Sequence, residues 1–144
     1  MLVYLDPGAL IALNDRSDPN HAAAEAYFRV AARVGTRLVM GRPVCVEYLD
    51  GVTERVGKTD AIARMRQIEV SSLWRVEPDL EEDHARARDL LIQYDDAAID
   101  MTDSLSFSIM ERLGLDSAFT FDSDYETHGF TRVPTGERVR RRRR

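Results

Sequence analysis

The chain has 144 residues, of which 44% are hydrophobic, and this is enough for one domain with a buried core. Cys45 is the only cysteine, which excludes an internal disulfide and a thiolate metal site. No apolar run reaches the length of a membrane span, and no basic region precedes the apolar stretch at the amino terminus. We therefore expect a cytoplasmic protein without a signal peptide or a membrane partner.

The net charge of −5 combines an acidic body with a basic end. The final residues RVRRRRR contain six arginines, Arg138 and Arg140 to Arg144, and without them 14 basic residues face 25 acidic ones, a net charge of −11. Three interpretations of this end stay open: a disordered solvated segment, an arm that binds phosphates, or a segment that contacts the acidic body. We expect one domain over residues 1–134 and an arginine-rich, disordered tail over 135–144.

Glycine and proline residues divide the first half of the chain into alternating strands and helices. The apolar run LVYL predicts a buried strand at 2–5, followed by a short helix at 9–14 and a turn that Asp18 or Asn20 ends as a helix cap. A helix at 21–34 that ends at Gly35 and a strand at 37–41 follow. The next predicted elements are a helix from Pro43 to near Gly57 and a helix that Thr59 caps and that runs to about Val70. A strand within 72–78 ends this half of the chain.

The second half continues the alternation. A charged helix is predicted at 79–94, with a buried stripe of Leu80, Ala87, Leu90 and Leu91. A helix at 102–113 closed by Gly114, a strand at 117–121 and a last short strand at 131–133 follow. Strands that alternate with helices indicate an α/β sandwich around a mainly parallel sheet of four to five strands, with no second domain.

Two aspartates follow predicted strands: Asp6 after LVYL and Asp122 after AFTF. In open parallel sheets, ligands bind beyond the carboxyl ends of the strands, so these two carboxylates are predicted to share one cleft. Each residue also has a simpler interpretation, Asp6 as the cap of the next helix and Asp122 as a turn residue.

Two helices add further acids. Glu47 lies on or beside an apolar stripe with Val44, although it could also reach past that stripe to solvent. Asp103 shares a helical stripe with Phe107 and Met110, and it lies in the first helical turn, where the helix dipole favours an anion.

Four acids at the edges of buried elements, without a buried Lys or Arg nearby in the sequence, require a cation, because converging carboxylates repel one another. An all-oxygen ligand set suits Mg²⁺ or Mn²⁺, which support hydrolysis of a phosphodiester by an activated water. None of the histidines is placed as a nucleophile, and His21, His84 and His128 are interpreted as surface or capping residues.

Several stretches resemble the PIN-domain family, and specifically VapC-type toxin ribonucleases of bacterial toxin–antitoxin systems. They are the strand ending in Asp6 before ALIAL, the turn DRSDPNHAAAEAYF, the helix RPVCVEYLDGV and the stretch MTDSLSFSIMERLGLDSAFTFDSDYETHGF. The resemblance implies a PIN-like three-layer α/β/α sandwich whose catalytic, metal-binding acids are Asp6, Glu47, Asp103 and Asp122, with Asp124 as a supporting ligand. It also implies Mg²⁺ or Mn²⁺ as cofactor, cleavage of single-stranded or loop RNA, a homodimer, and inhibition by a small antitoxin protein.

The sequence departs from the family at Pro7, because members usually have Ser or Thr directly after the first aspartate. Proline removes that hydroxyl and a backbone N–H, so a non-catalytic PIN module that binds RNA or a protein partner is the alternative function. A phosphatase with an aspartate nucleophile, suggested by FTFDSDY, is disfavoured because few residues follow the motif. The arginines predicted to attract RNA within the fold are Arg16, Arg42, Arg112 and Arg132.

Overall fold

Five strands alternate with helices in the computed structural model, which describes residues 1–95 and 98–134. The strands are β1 Leu2–Leu5, β2 Arg37–Gly41, β3 Trp74–Glu77, β4 Ser117–Phe119 and β5 Thr131–Val133. The helices are α1 Pro7–Asn14, α2 His21–Arg33, α3 Arg42–Arg55, α4 Lys58–Val70, α5 Glu81–Gln93, α6 Met101–Leu113 and α7 Asp124–Thr127. The predicted tail at 135–144 lies outside the described residues.

All strand pairs are parallel, and the strands lie in the order β3-β2-β1-β4-β5. The first half of the chain builds one side of the sheet from β1 outwards, and β4 then pairs with the opposite edge of β1. This reversal of strand order between β1 and β4 is where parallel α/β sheets form their ligand clefts. The predicted α/β fold with a five-stranded parallel sheet flanked by helices is confirmed.

The central strands are buried because helices cover the sheet. Val3, Tyr4 and Leu5 of β1 are fully buried, as are Val39 and Met40 of β2. A strand covered on both faces has no need for alternating polar residues, which explains the continuous apolar run LVYL.

The end of β2 requires glycine for space. A Cβ atom at Gly41 would lie 2.8 Å from both the Ile109 Cδ1 atom and the Tyr4 hydroxyl. The Gly41 N–H donates to that hydroxyl at 3.1 Å, and the hydroxyl donates to Ser106 at 2.8 Å. This close approach brings α6 against β1 and β2, beside the carboxyl edge of the sheet.

Several predicted boundaries were wrong. Helix α1 begins at Pro7 and not at residue 9, because proline's fixed φ and missing N–H suit the first helical position. Gly57 occupies the N-cap position of α4, so Thr59 lies inside the helix. Asn20 does occupy the N-cap position of α2, one of the two predicted caps, but its side chain makes no capping bond. Strand β4 ends at Phe119, two residues earlier than predicted, and the short helix α7 was missed.

Two of the four residues in the predicted buried stripe of α5 are buried. Ala87 and Leu90 are fully buried, but Leu80 and Leu91 are 38% and 39% exposed. Leu80 is the N-cap residue, outside the helix that begins at Glu81, and Asp83 is buried in the first turn instead.

Within the described residues, no helix is long and apolar enough to cross a membrane.

Candidate metal site at the carboxyl edge of the sheet

The reversal of strand order brings Asp6 beside the segment that follows β4. Asp6 comes directly after β1, and its N–H donates to the Phe119 carbonyl of β4 at 3.1 Å. Asp122 lies three residues beyond the end of β4 and not directly after it, as the sequence had suggested. The predicted meeting of these two chain segments at one sheet edge depends on the pairing of β1 with β4.

The Asp6 side chain is 7% exposed, although an aspartate with the ordinary pKa is charged at neutral pH. It occupies the N-cap position of α1 but makes no side-chain capping bond. Its carboxylate instead accepts two hydroxyl hydrogen bonds at 3.0 Å, one from Thr120 to Oδ2 and one from Tyr125 to Oδ1. The geometry therefore disfavours the simple capping role and directs Asp6 towards the cleft.

A closed set of hydrogen bonds connects Asp6 to the two other acids of this segment. The Thr120 hydroxyl, which donates to Asp6, accepts the Asp122 N–H at 3.0 Å. The Asp122 carboxylate accepts the Asp124 N–H at 2.9 Å, and the next residue, Tyr125, donates back to Asp6. Each donor and acceptor in this set limits the movement of its neighbours.

Asp103 reaches the site from the first turn of α6. A reciprocal capping box holds it: the Asp103 N–H donates to Asp100 at 2.9 Å, and the Asp103 carboxylate accepts the Asp100 N–H at 3.2 Å. The predicted helical position of Asp103 is thus confirmed, with a specific reason for a carboxylate there.

Carboxylate oxygens of Asp103, Asp122 and Asp124 all lie within 4.8 Å of one another. Three carboxylates at this distance offer one oxygen each to a single cation, and a hard divalent ion prefers such oxygen ligands. The structure therefore gives Asp124 a more central place than the supporting one suggested by the sequence.

Burial and mutual repulsion perturb the acids. Burial raises the pKa of Asp6 to about 7, against the effect of the hydrogen bonds from Thr120 and Tyr125, and the Asp122 charge adds to the rise. Burial also raises the pKa of Asp103 to about 8, with contributions from the charges of Asp100, Asp6 and Asp122. Perturbed acids in a cleft are typical of functional sites.

Three of these acids, Asp6, Asp103 and Asp122, have no basic partner in the described part of the chain. None of the ion pairs formed between residues 1–95 and 98–134 includes Asp6, Asp103 or Asp122. Because carboxylates in a partly buried cleft need a compensating charge, the donor set fits a bound divalent metal ion.

Glu47 differs from the other predicted site residues. It is exposed on α3, whose buried residues are Val44 and Tyr48, so it lies beside the buried stripe and reaches solvent, as one of the predicted alternatives had it. Glu47 is absent from the group of three aspartates whose oxygens converge. Partial burial and the nearby Asp100 charge raise its pKa, which places it on the Asp100 side of the cleft.

Two of the arginines predicted to attract RNA have structural partners instead. Arg112 forms ion pairs of 2.9 Å with Asp83 and Glu77, and Arg132 forms one of 2.6 Å with Glu126. Arg16 and Arg42 are exposed, in agreement with the predicted role, which stays untested.

The histidines do not join the acidic cluster. His84 is half exposed beside Asp79, as predicted for a surface residue. His128 is the C-cap residue of α7, in agreement with the predicted capping alternative, and its ring stacks on Phe107 at 4.7 Å between centroids and contacts the Tyr94 hydroxyl at 2.6 Å.

Sequence reasoning missed Thr120 and Tyr125. The position of Thr120 between a predicted strand and Asp122 was a usable signal, because a hydroxyl at that place can bond to neighbouring acids. Tyr125 had no such signal, since its partner lies 119 residues away in the sequence.

The parallel sheet with aspartates gathered at its carboxyl edge defines the PIN-domain class of proteins. A profile of the PIN domain matches residues 3–131, so the chain belongs to the PIN-domain family. The chain is homologous to the 23S rRNA-specific endonuclease VapC20 of Mycobacterium tuberculosis, with 28% identity over 135 residues that cover 92% of this chain and 98% of the relative.

Solved structures show the same fold. The crystal structure of Mycobacterium tuberculosis VapC20, a sarcin–ricin loop cleaving toxin, matches with a TM-score of 0.79 and 24% identity, covering 90% of this chain and 96% of the other. The structure of VapBC2 from Rickettsia felis bound to a DNA fragment from its promoter matches with a TM-score of 0.69 and 12% identity. This match covers 92% of this chain and 97% of the other. Homology to a named endonuclease supports a nuclease.

Proposed function

We propose that this protein is a Mg²⁺- or Mn²⁺-dependent endoribonuclease toxin that hydrolyses RNA phosphodiester bonds and is held inactive by a cognate antitoxin. The observation that carries the proposal is the convergence of Asp103, Asp122 and Asp124 oxygens within 4.8 Å, beside the buried Asp6. Homology to a named endonuclease supports the choice of reaction.

In this proposal Asp103, Asp122 and Asp124 hold the metal ion, and Asp6 and Glu47 complete the catalytic set. Asp6 contributes a buried carboxylate whose orientation Thr120 and Tyr125 determine. Bound Mg²⁺ or Mn²⁺ supplies charge compensation and activation of water. Glu47 is exposed, and we propose that it contacts the substrate, either directly or through a water molecule.

The substrate is proposed to be a loop of structured RNA. The relative VapC20 is named as an endonuclease specific for 23S rRNA. Its crystal structure is described as that of a toxin that cleaves the sarcin–ricin loop. Loops expose unpaired bases and a bent backbone, which lets an acidic cleft approach a single phosphodiester.

The protein partner is proposed to be a small antitoxin, since the structural neighbours include toxin–antitoxin complexes such as VapBC-1 of nontypeable Haemophilus influenzae. We further propose a cytoplasmic homodimer. Light scattering of the purified protein, alone and with a candidate antitoxin, measures both assemblies.

The test is cleavage of a 23S rRNA stem-loop oligonucleotide by purified protein in the presence of Mg²⁺ or Mn²⁺ and after chelation. We expect metal-dependent cleavage that Asp103→Asn abolishes, while Asp50→Asn, an exposed acid elsewhere, retains it. Equal cleavage by wild type and Asp103→Asn would point to a contaminating nuclease.

A non-catalytic PIN module predicts a different result. In that case the folded protein binds RNA or a partner without cleavage and without Mn²⁺ binding at millimolar concentration. Calorimetric titration with Mn²⁺ therefore separates the two functions.

A further inference from the structure

Tyr125 makes a polar contact that joins two elements of the acidic site. Its side chain is fully buried, and its hydroxyl donates to Asp6 Oδ1 at 3.0 Å. Thr120 donates to the other oxygen, so each oxygen of the Asp6 carboxylate has its own hydroxyl donor. Two donors from different directions determine the plane of the carboxylate, whereas one donor alone leaves it free to rotate.

Packing holds the Tyr125 ring in place. The ring meets Phe107 of α6 edge-on, with 4.9 Å between centroids and an angle of 90° between the planes. The Phe130 N–H donates to the Tyr125 carbonyl at 2.9 Å, which holds the residue from the carboxyl side of α7. Tyr125 thus contacts α6 with its ring and the end of β1 with its hydroxyl.

Tyr125 also follows Asp124 directly in α7. Any movement of Tyr125 away from Asp6 therefore moves the Asp124 backbone, and the Asp124 N–H is bonded to the Asp122 carboxylate at 2.9 Å. Asp103 approaches the same point from α6, against which the Tyr125 ring packs. The Tyr125 side chain therefore contacts α6 and the end of β1, and its backbone N–H donates to the Asp122 carbonyl at 3.4 Å.

We propose that Tyr125 is a positioning residue that orients Asp6 and fixes α7, so that Asp124 meets Asp103 and Asp122 at metal-binding distance. This inference rests on the proposed metal-dependent function. The phenol suits the task because it carries a single hydroxyl donor at the end of a rigid ring.

The test compares Tyr125→Phe with wild type by calorimetric titration of Mn²⁺ into metal-free protein. The variant loses one hydroxyl and keeps the ring, so we expect an unchanged far-ultraviolet spectrum and Mn²⁺ binding weakened about tenfold, as for other residues that orient metal ligands. Tyr4→Phe is the matched control, because the Tyr4 hydroxyl is equally buried but bonds to Ser106 and Gly41. It is expected to keep wild-type Mn²⁺ affinity.

A double-mutant cycle shows whether Tyr125 acts through Asp6. In an Asp6→Ala background, Tyr125→Phe is expected to weaken Mn²⁺ binding by less than threefold, because the Tyr125 hydroxyl has already lost its acceptor. Full Mn²⁺ affinity in Tyr125→Phe, or equal losses in both backgrounds, would overturn the inference. A wild-type protein that does not bind Mn²⁺ at millimolar concentration would overturn the proposed function instead.

Discussion

At the scale of single residues, Asp6 shows how burial changes the meaning of a carboxylate. The sequence placed Asp6 after a strand and left open whether it caps a helix or binds a metal. The structure buries it and gives it two hydroxyl donors, neither of which belongs to α1. Pro7 fits the first position of that helix, so its presence is compatible with the backbone that carries Asp6.

We expect the stability of the metal-free protein to fall as the pH rises. The folded-state pKa of Asp6 is about 7, above the value of about 3.9 of an unfolded chain, so the folded form holds more protons between these values. The free energy of unfolding should therefore decrease from about pH 4 through pH 7, by an amount on the order of 2–4 kcal/mol.

Thermal melts of chelated protein between pH 5 and 8 measure this effect. Asp6→Asn should reduce the pH dependence, the rest of which comes from Asp103, whose pKa is raised to about 8, and Mn²⁺ should raise the stability of the wild type at pH 8. The exposed variant Asp50→Asn serves as the control. A melting temperature that rises over this range in wild type would contradict the assignment.

We expect Asp124 to contribute more to Mn²⁺ binding than Glu47. Asp124 is one of the three converging acids, whereas Glu47 is exposed and lies outside that group. We expect Asp124→Asn to weaken Mn²⁺ binding at least tenfold and Glu47→Gln to weaken it less than threefold. Isothermal titration of both variants measures the difference, and a larger loss for Glu47→Gln would show that the cleft closes around Glu47 when metal binds.

At the scale of elements, Arg112 joins α6 to α5 and to the end of β3. It pairs with Asp83 and Glu77 and donates to the Pro78 carbonyl at 3.0 Å. Asp83 is 2% exposed, so removal of Arg112 leaves a buried carboxylate without its cation. The sequence marked Arg112 as a possible RNA contact, but its surroundings indicate a structural role.

Arg112→Met is accordingly expected to lower the free energy of unfolding by about 3–5 kcal/mol, the usual cost of breaking a buried pair. Urea denaturation measures this change, and the exposed Arg33→Met provides the comparison. A variant of wild-type stability with reduced RNA binding would restore the original interpretation.

At the scale of the whole molecule, charge separates the domain from its tail. Residues 1–134 contain 14 basic and 24 acidic residues, a net charge of −10, which opposes the approach of RNA. Two of the arginines that were predicted to attract RNA, Arg112 and Arg132, are already paired. Strand β5 ends at the same edge of the sheet as β1 and β4, so the chain leaves the described domain on the side of the acidic cleft.

A protein truncated after Pro134 is therefore expected to bind RNA more weakly and with less salt dependence. Six arginines that contact phosphates contribute a slope of up to about 4 in log K against log salt for single-stranded RNA. Fluorescence anisotropy between 50 and 300 mM salt measures the slope, and Mn²⁺ affinity should not change. Tighter Mn²⁺ binding after truncation would indicate that the tail contacts the acidic body.

The sequence by itself determined the order and type of nearly all elements, because buried strands need continuous apolar runs and helices need caps and periodic stripes. It also identified Asp103 in a first helical turn, which depends on local contacts alone. Only the tertiary structure decided which acids meet. Asp6 and its donors Thr120 and Tyr125 lie 114 and 119 residues apart in the sequence, and they come together only because β4 pairs with β1. The sequence could not predict that pairing, since parallel strands far apart in the chain have no local signal for their order in the sheet.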